Sequence, residues 1–303
     1  MGELRFDDRV VVVTGAGRGI GRAHALLFAE RGASVVVADY GVGIDGDGSS
    51  SSPADEVVAE IRSSGGEATA CFADVSDEAA ARGIISTALD TYGRLDAVVN
   101  NAGINDPAPF EELSSTQFRR MLDVHFFGTL FVAHAAWEHF RSVGSGRLVN
   151  TTSEAMLGGV PQLTSYGAAK GAVFGLTRNL ATEATGTAIR VNAVAPRAHT
   201  RMSDSESDRL AEFFGFDKDT SELVKASMPP EMCSPAALYL AHESCALNGE
   251  VLRVGMGSVA RLAVVETTGL VKDGIAPEDI AENLDTILDP AGAQVRVAES
   301  MAL

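Results

Sequence analysis

Val10 to Val13 is an unbroken β-branched run, the pattern of a strand covered on both faces. The glycine-rich stretch TGAGRGIG, Thr14 to Gly21, follows at once. It leads into RAHALLFAERG, whose apolar residues recur at helical spacing and stop at a glycine. Ser34 to Asp39, SVVVAD, is a second buried run, and ADEVVAEIRSSGG reads as a helix. A strand in EATACFADV, ending at Asp74 and Val75, a helix in DEAAARGIISTALDTYG and a short strand from Ala97 to Asn100 come next. Strands alternating with helices at this pitch predict a doubly wound parallel α/β sheet with its ligand at the carboxyl ends of the strands.

Further on, Thr116 to Phe140 reads as one long helical stretch, Gly146 to Thr152 as the fifth strand and Ala188 to Val194 as the sixth. Pro235 to Ser244 is expected to be a helix, and Glu250 to Val254 the last strand. Gly41 to Pro53, GVGIDGDGSSSSP, is too rich in Gly, Ser and Asp for a packed element and predicts a flexible surface loop. Met202 to Pro230 mixes polar residues with Phe213, Phe214, Phe216 and Leu223, which fits a mobile lid or an ordinary pair of surface helices. With no internal repeat and no second domain evident, the pattern divides into a domain over residues 1–255 and a C-terminal extension over 256–303. The extension is expected to pack along a partner subunit or near the substrate mouth, in a structural role.

Of the 303 residues, 46% are hydrophobic, enough for a substantial core. The formal net charge of -17 argues against a nucleic-acid or anionic-membrane partner, since both reward clustered Lys and Arg. Cys71, Cys233 and Cys245 have neither metal-ligand nor CxxC spacing, and an odd number makes a poor disulfide framework. We read them as reduced thiols and expect no metal site. No apolar run reaches the roughly 20 residues of a membrane span, and the amino terminus carries no signal-peptide core. The C-terminal SMAL is not the SKL peroxisomal signal. A cytoplasmic protein is expected.

Candidate chemistry lies in three places. Strand, glycine turn and helix in succession are the context of a nucleotide-binding fingerprint, although glycines also make ordinary tight turns. Asp39 stands where an acidic side chain meets the adenosine ribose hydroxyls and repels a 2′-phosphate, which favours NAD over NADP; a turn or cap role also fits. Arg18, in the glycine loop, is suited to a 2′-phosphate and points the other way. Tyr166 and Lys170 are spaced to share one helix face, setting an ammonium beside a phenol, an arrangement suited to proton transfer near neutral pH. Alone, the pair also fits an unremarkable surface helix. Ser153 offers a hydroxyl to the same substrate oxygen if the intervening loop folds back.

Together TGAGRGIG, Asp39, Asp74 and Val75, the NNAG of Asn100 to Gly103, Ser153 and YGAAK resemble the short-chain dehydrogenase/reductase family over residues 1–255. That resemblance implies a single Rossmann domain with a seven-stranded parallel sheet. It implies Gly15, Arg18, Ile20 and Gly21 along the cofactor pyrophosphate, Asp39 on the ribose, Asp74 and Val75 at the adenine, and Asn100, Ala102 and Gly103 under the cofactor. Ser153 is expected to hold the substrate oxygen, Tyr166 to exchange the proton, and Lys170 to support the tyrosine and bind the nicotinamide ribose. Two departures stand out. His125 occupies the place of an asparagine that helps hold a water against the lysine, so it stands in for that residue, alters the relay, or is a buried helix histidine without a catalytic task. Arg197 replaces a glycine after the sixth strand, and a gapless match puts Arg201 rather than Thr200 on the family threonine, which unsettles the cofactor contacts of Ala198 and Thr200.

VHFFGTLFVAHAAWEHF, the insertion after Asp39 and LAHESCALNGEVLRVGMGSVARL are similar to the (3R)-hydroxyacyl-CoA dehydrogenase units of type 2 multifunctional enzymes, a subfamily that also has a histidine at this position. The resemblance implies an NAD-dependent oxidoreductase acting on a (3R)-hydroxyacyl-CoA or a hydroxysteroid, and a homodimer or homotetramer. The alternatives are an NADPH-dependent 3-oxoacyl-thioester reductase and an NAD-binding sensor or scaffold that has lost turnover.

Overall fold

A computed structural model describes residues 2–298 of the chain, without the side chains of residues 204–210; the C-terminal SMAL lies outside the described residues. Eight strands form the main sheet in the order β3-β2-β1-β4-β5-β6-β7-β8. They are β1 (Val10–Thr14), β2 (Ser34–Ala38), β3 (Glu67–Cys71), β4 (Ala97–Asn100), β5 (Ser145–Thr151), β6 (Ala188–Pro196), β7 (Val251–Gly255) and β8 (Ser258–Leu262). The order reverses between β1 and β4, and a crevice opens at the carboxyl ends of strands at such a switch point.

The β-branched runs go where their pattern requires. Val11, Val13, Val35 and Val37 face a core with Phe28 of α1 (Gly19–Glu30), Ile61 of α2 (Ser52–Ser63) and Leu240. Val10, Val12, Val36 and Val98 face a second core on the opposite side, with Ile84 of α3 (Glu78–Tyr92) and Phe140. A sheet buried on both faces has no polar side, so its strands read as continuous apolar runs.

Four expectations need correction. The sheet has an eighth strand: β8 pairs antiparallel with β7, Gly255 opposite Ser258, around a two-residue turn in which Met256 (φ 53°) and Gly257 (φ 68°) are both left-handed. The C-terminal segment thus extends the sheet, and β9 (Val265–Glu266) and β10 (Gln294–Val295) form a separate small ribbon beyond it. Strand β3 ends at Cys71, leaving Asp74 and Val75 in the loop that follows. The stretch from Thr116 to Phe140 is not one regular helix: α4 (Ser115–Leu122) and α5 (Gly128–Val143) are joined through a π-helical turn, Asp123–Phe127, that carries His125. Lastly, the glycine-rich loop after β2 is docked. Ile44 accepts a hydrogen bond from the Asn105 N–H at 3.0 Å, Asp47 accepts one from Arg120 at 2.7 Å, and Val42 accepts one from Arg201 at 3.0 Å.

The remaining helices are α6 (Thr164–Glu183), α7 (Arg201–Phe214), α8 (Lys218–Ala226), α9 (Ser234–Ala241), α10 (Pro277–Glu282) and α11 (Leu284–Leu288). No helix of the described residues is long and apolar enough to cross a membrane.

Candidate active site

Close packing explains the glycines of the first turn. Gly15 has φ +63°, and a Cβ there would lie 2.7 Å from Ala102 Cα. A Cβ on Gly21 would lie 2.1 Å from the Gly15 carbonyl oxygen. Gly21 therefore seats the first turn of α1 against the loop. Arg18 precedes α1 in an extended conformation with no side chain capping the helix, which leaves the first-turn N–H groups and the positive dipole end available to an anion. Asn101 staples this loop to β4: its side-chain amide donates to the carbonyls of Thr14 (3.1 Å) and Gly15 (3.2 Å). In return the Thr14 hydroxyl accepts the N–H groups of Asn101 (3.0 Å) and Ala102 (3.1 Å). The sequence reading missed Asn101, although the doubled asparagine marked the place.

Asp39 follows β2, and its carboxylate accepts the N–H of Gly17 at 2.7 Å and that of Gly41 at 2.6 Å. Those bonds join the glycine loop to the docked loop and leave lone pairs for further donors. The Asp74 carboxylate accepts the N–H (2.9 Å) and hydroxyl (2.7 Å) of Ser76, and Val75 packs on Gly128.

Of the expected residues, Gly15, Arg18, Ile20, Asp39, Asp74, Val75, Ala102, Gly103, His125, Tyr166, Lys170 and Thr200 line one cavity of about 330 Å³. Asp39 is at one end and the Tyr166–Lys170 pair at the other. Gly21, Asn100, Ala198 and Ser153 are not among its lining residues. Asn100 is buried and donates to Asn150 (3.0 Å), which donates to Thr177 (3.0 Å), tying β4 through β5 to α6. Ala198 packs toward the hydrophobic core. Arg201 lines the cavity beside Thr200 and exchanges charge interactions with both Arg18 and Asp39.

At the far end, Tyr166 and Lys170 lie in the first two turns of α6. The Lys170 ammonium is buried, donates to the Thr151 carbonyl at 2.7 Å, and lies 5.6 Å from the centre of the Tyr166 ring. Burial pushes its pKa down to about 7. His125 stands edge-on to the same ring, with centroids 5.2 Å apart. Its Nε2 lies 2.8 Å from the Ile104 carbonyl oxygen and 3.2 Å from the Ile104 backbone nitrogen, while Nδ1 is buried without a hydrogen-bond partner among the described residues. Burial first, and then the Lys170 charge, hold the imidazole well below its ordinary pKa, so it is neutral. The π turn turns the His125 carbonyl to the Thr129 hydroxyl, which donates to it at 2.7 Å. Gly103 gives the ring room: a Cβ there would be 2.5 Å from His125 Cε1.

Ser153 emerges two residues beyond β5 in an extended conformation, and its hydroxyl accepts the Ala155 N–H at 3.2 Å. The turn it opens, Glu154–Leu157, packs directly on α6, because a Cβ at Gly167 would lie 2.6 Å from the Ala155 carbonyl oxygen. The loop between Ser153 and Tyr166 thus folds back onto the helix. Chemically, the arrangement offers a phenol beside a buried ammonium, a neutral imidazole and, at the opposite end of the cavity, an anion-receptive helix terminus with a carboxylate.

A sequence model of the family described as short chain dehydrogenase matches residues 9–210. The chain is 41% identical over 294 residues to the peroxisomal multifunctional enzyme type 2 of Mus musculus, a match covering 96% of this chain and 38% of that protein. The chain thus spans well under half the length of that relative. It is 42% identical over 289 residues to a short-chain type dehydrogenase/reductase of Mycobacterium tuberculosis, covering 95% of this chain and 96% of that one. Among solved structures it is similar to a 7α-hydroxysteroid dehydrogenase complexed with NADH and 7-oxo glycochenodeoxycholic acid, with TM-score 0.71, 30% identity, and coverage of 85% and 98% of the two chains. From its sequence match across most of its length and its shared fold, the chain belongs to the short chain dehydrogenase family.

Proposed function

We propose that the protein is an NAD-dependent dehydrogenase that interconverts a secondary alcohol and a ketone, with a (3R)-hydroxyacyl-CoA as the preferred substrate class and a hydroxysteroid as the second. The observation that carries this reading is the single cavity with Asp39 at one end and Tyr166, Lys170 and His125 at the other. Its glycine wall, uncapped helix terminus and carboxylate fit a dinucleotide without a 2′-phosphate. When bound, the nicotinamide cofactor supplies the hydride acceptor or donor. The chain's own residues supply the rest. Tyr166 takes or returns the hydroxyl proton at its phenolic oxygen, and Ser153 orients the substrate oxygen. Lys170 favours negative charge on the Tyr166 oxygen, while its bond to Thr151 fixes the end of β5. His125 holds the Tyr166 ring by edge-to-face contact and is neutral while it does so.

Similarity to the mouse multifunctional enzyme supports the acyl-CoA reading, and the hydroxysteroid dehydrogenase neighbour supports the steroid. The domain over residues 1–255 would carry the chemistry and the extension a structural role, in a homodimer or homotetramer. Three free cysteines are consistent with a reducing, cytoplasmic setting. One observation favours a second reading, an NADPH-dependent 3-oxoacyl-thioester reductase: Arg18 and Arg201 both line the cavity near Asp39.

The test crosses NAD and NADP with (3R)-hydroxyacyl-CoAs, hydroxysteroids and simple secondary alcohols. Turnover of a hydroxyacyl-CoA with NAD is expected. A strong NADP preference would favour the reductase, and saturable NADH binding without turnover of any alcohol would favour the sensor.

A further inference from the structure

Arg197 stands where the family pattern has a glycine, and its side chain has a definite destination. Its Nη2 donates to Glu154 Oε1 at 2.7 Å, and its Nε donates to Oε2. Glu154 is the residue after Ser153 and the first of the Glu154–Leu157 turn. Strands β5 and β6 pair as far as Thr151 opposite Val194, and one further backbone bond, from the Thr152 N–H to the Val194 carbonyl, follows at 2.9 Å. Beyond it, the guanidinium–carboxylate pair links the two segments.

Both ends of that link are fixed. The Arg197 N–H donates to the Val254 carbonyl at 2.7 Å, and Gly255 lies so close that a Cβ would be 2.1 Å from the Arg197 carbonyl oxygen. On the other side, Lys170 grips the Thr151 carbonyl two residues before Ser153. Ser153 therefore hangs between a lysine anchor before it and an arginine anchor after it. A planar bidentate pair sets orientation as well as distance, which a lysine in place of Arg197 does not reproduce.

We propose that Arg197 and Glu154 are a positioning pair that holds the Ser153 hydroxyl in its working orientation. The inference rests on the assignment of Ser153 to the substrate oxygen. Both side chains are partly exposed, 41% and 34%, so the pair adds little to global stability and its effect belongs to the reaction.

The experiment uses the full chain carrying Glu154→Gln, Arg197→Lys, or the exchange of both charges, Glu154→Arg with Arg197→Glu. Four quantities are read: steady-state rates with a (3R)-hydroxyacyl-CoA and NAD, NADH binding by fluorescence, Tm, and amide exchange at residues 155–158 in the ligand-free protein. Each single variant is expected to lower kcat by roughly tenfold to a hundredfold. Their exchange at 155–158 is expected to quicken, with the NADH Kd and Tm little changed, and the charge exchange to restore part of the rate. Unchanged exchange, or unchanged kcat in an active enzyme, overturns the proposal. If the unmodified protein turns over no alcohol, the functional reading fails instead. Amide exchange then decides alone: quickened exchange supports the holding role and unchanged exchange overturns it.

Discussion

The ring of His125 stands perpendicular to that of Tyr166, the centroids 5.2 Å apart and the planes at 86°. The contact supports one side of the phenol ring, and it depends on two further residues: Gly103, which leaves space for the imidazole edge, and Ile104, whose backbone meets Nε2. Support of the tyrosine is a different task from shuttling a proton, and the two separate in experiment.

Removing the imidazole with His125→Ala opens a buried cavity and takes away the ring nitrogen that meets the Ile104 backbone. It is expected to cost about 2–4 kcal/mol of stability and to lower kcat about tenfold. Because the imidazole is already neutral, the pH profile of the residual activity is expected to keep the limbs of the unmodified enzyme. Loss of a limb between pH 6 and 8 would assign His125 to proton transfer.

Lys170 ties stability to pH. Its pKa is about 7 in the fold against an ordinary 10.5, so between those values the unfolded chain binds more protons and folding strengthens as pH rises. Below pH 7 both states are protonated and the burial penalty is fully felt. Urea midpoints of the ligand-free protein and Lys170→Met, compared from pH 6 to 10, are expected to diverge in favour of the unmodified chain by on the order of 3–5 kcal/mol. Parallel curves would show that the amine is not desolvated.

One glycine substitution tests the cofactor wall, and a second, away from it, serves as the control. Gly21→Ala drives a methyl toward the Gly15 carbonyl and the Asn101 amide, 2.1 and 2.5 Å away, and is expected to cost about 2–4 kcal/mol and most NADH binding. Gly83→Ala in α3 meets nothing within 4 Å and is expected to stabilise the protein by about 0.5–1 kcal/mol. Chemical denaturation with NADH titration measures both.

On the proposed reading, Asp39 carries the choice between cofactors. Asp39→Ala removes the carboxylate proposed to meet the ribose while leaving Arg18 and Arg201 in place, and is expected to raise the NADP/NAD ratio of kcat/KM roughly a hundredfold. NAD binding weakens as well, since the Gly17 and Gly41 N–H groups lose their acceptor. An unchanged ratio would remove Asp39 from the ribose site.

Local features were legible in the chain. The run before Gly15, the spacing of Tyr166 and Lys170 and the carboxylate after β2 each express a period or a distance along one segment. The missed features depend on partners remote in sequence or on backbone geometry that side-chain type does not encode. The loop over residues 41–51 looked flexible because its anchors, Asn105 and Arg120, lie far along the chain. Strand β8 was hidden by a turn with Met256 rather than Asn or Asp at a left-handed position. The π turn at His125 shifts hydrogen bonds without disturbing the apolar period. Arg197 was visible as a departure, but its partner emerged only once Glu154 and the end of β6 were side by side.

The most direct test of the chemistry is Tyr166→Phe, which deletes one oxygen and keeps the ring that His125 and Lys170 contact. With a hydroxyacyl-CoA and NAD, kcat is expected to fall by about 10²–10⁴-fold while NADH binds with the affinity of the unmodified protein. Full turnover in that variant would contradict the assignment of Tyr166 as the acid–base group.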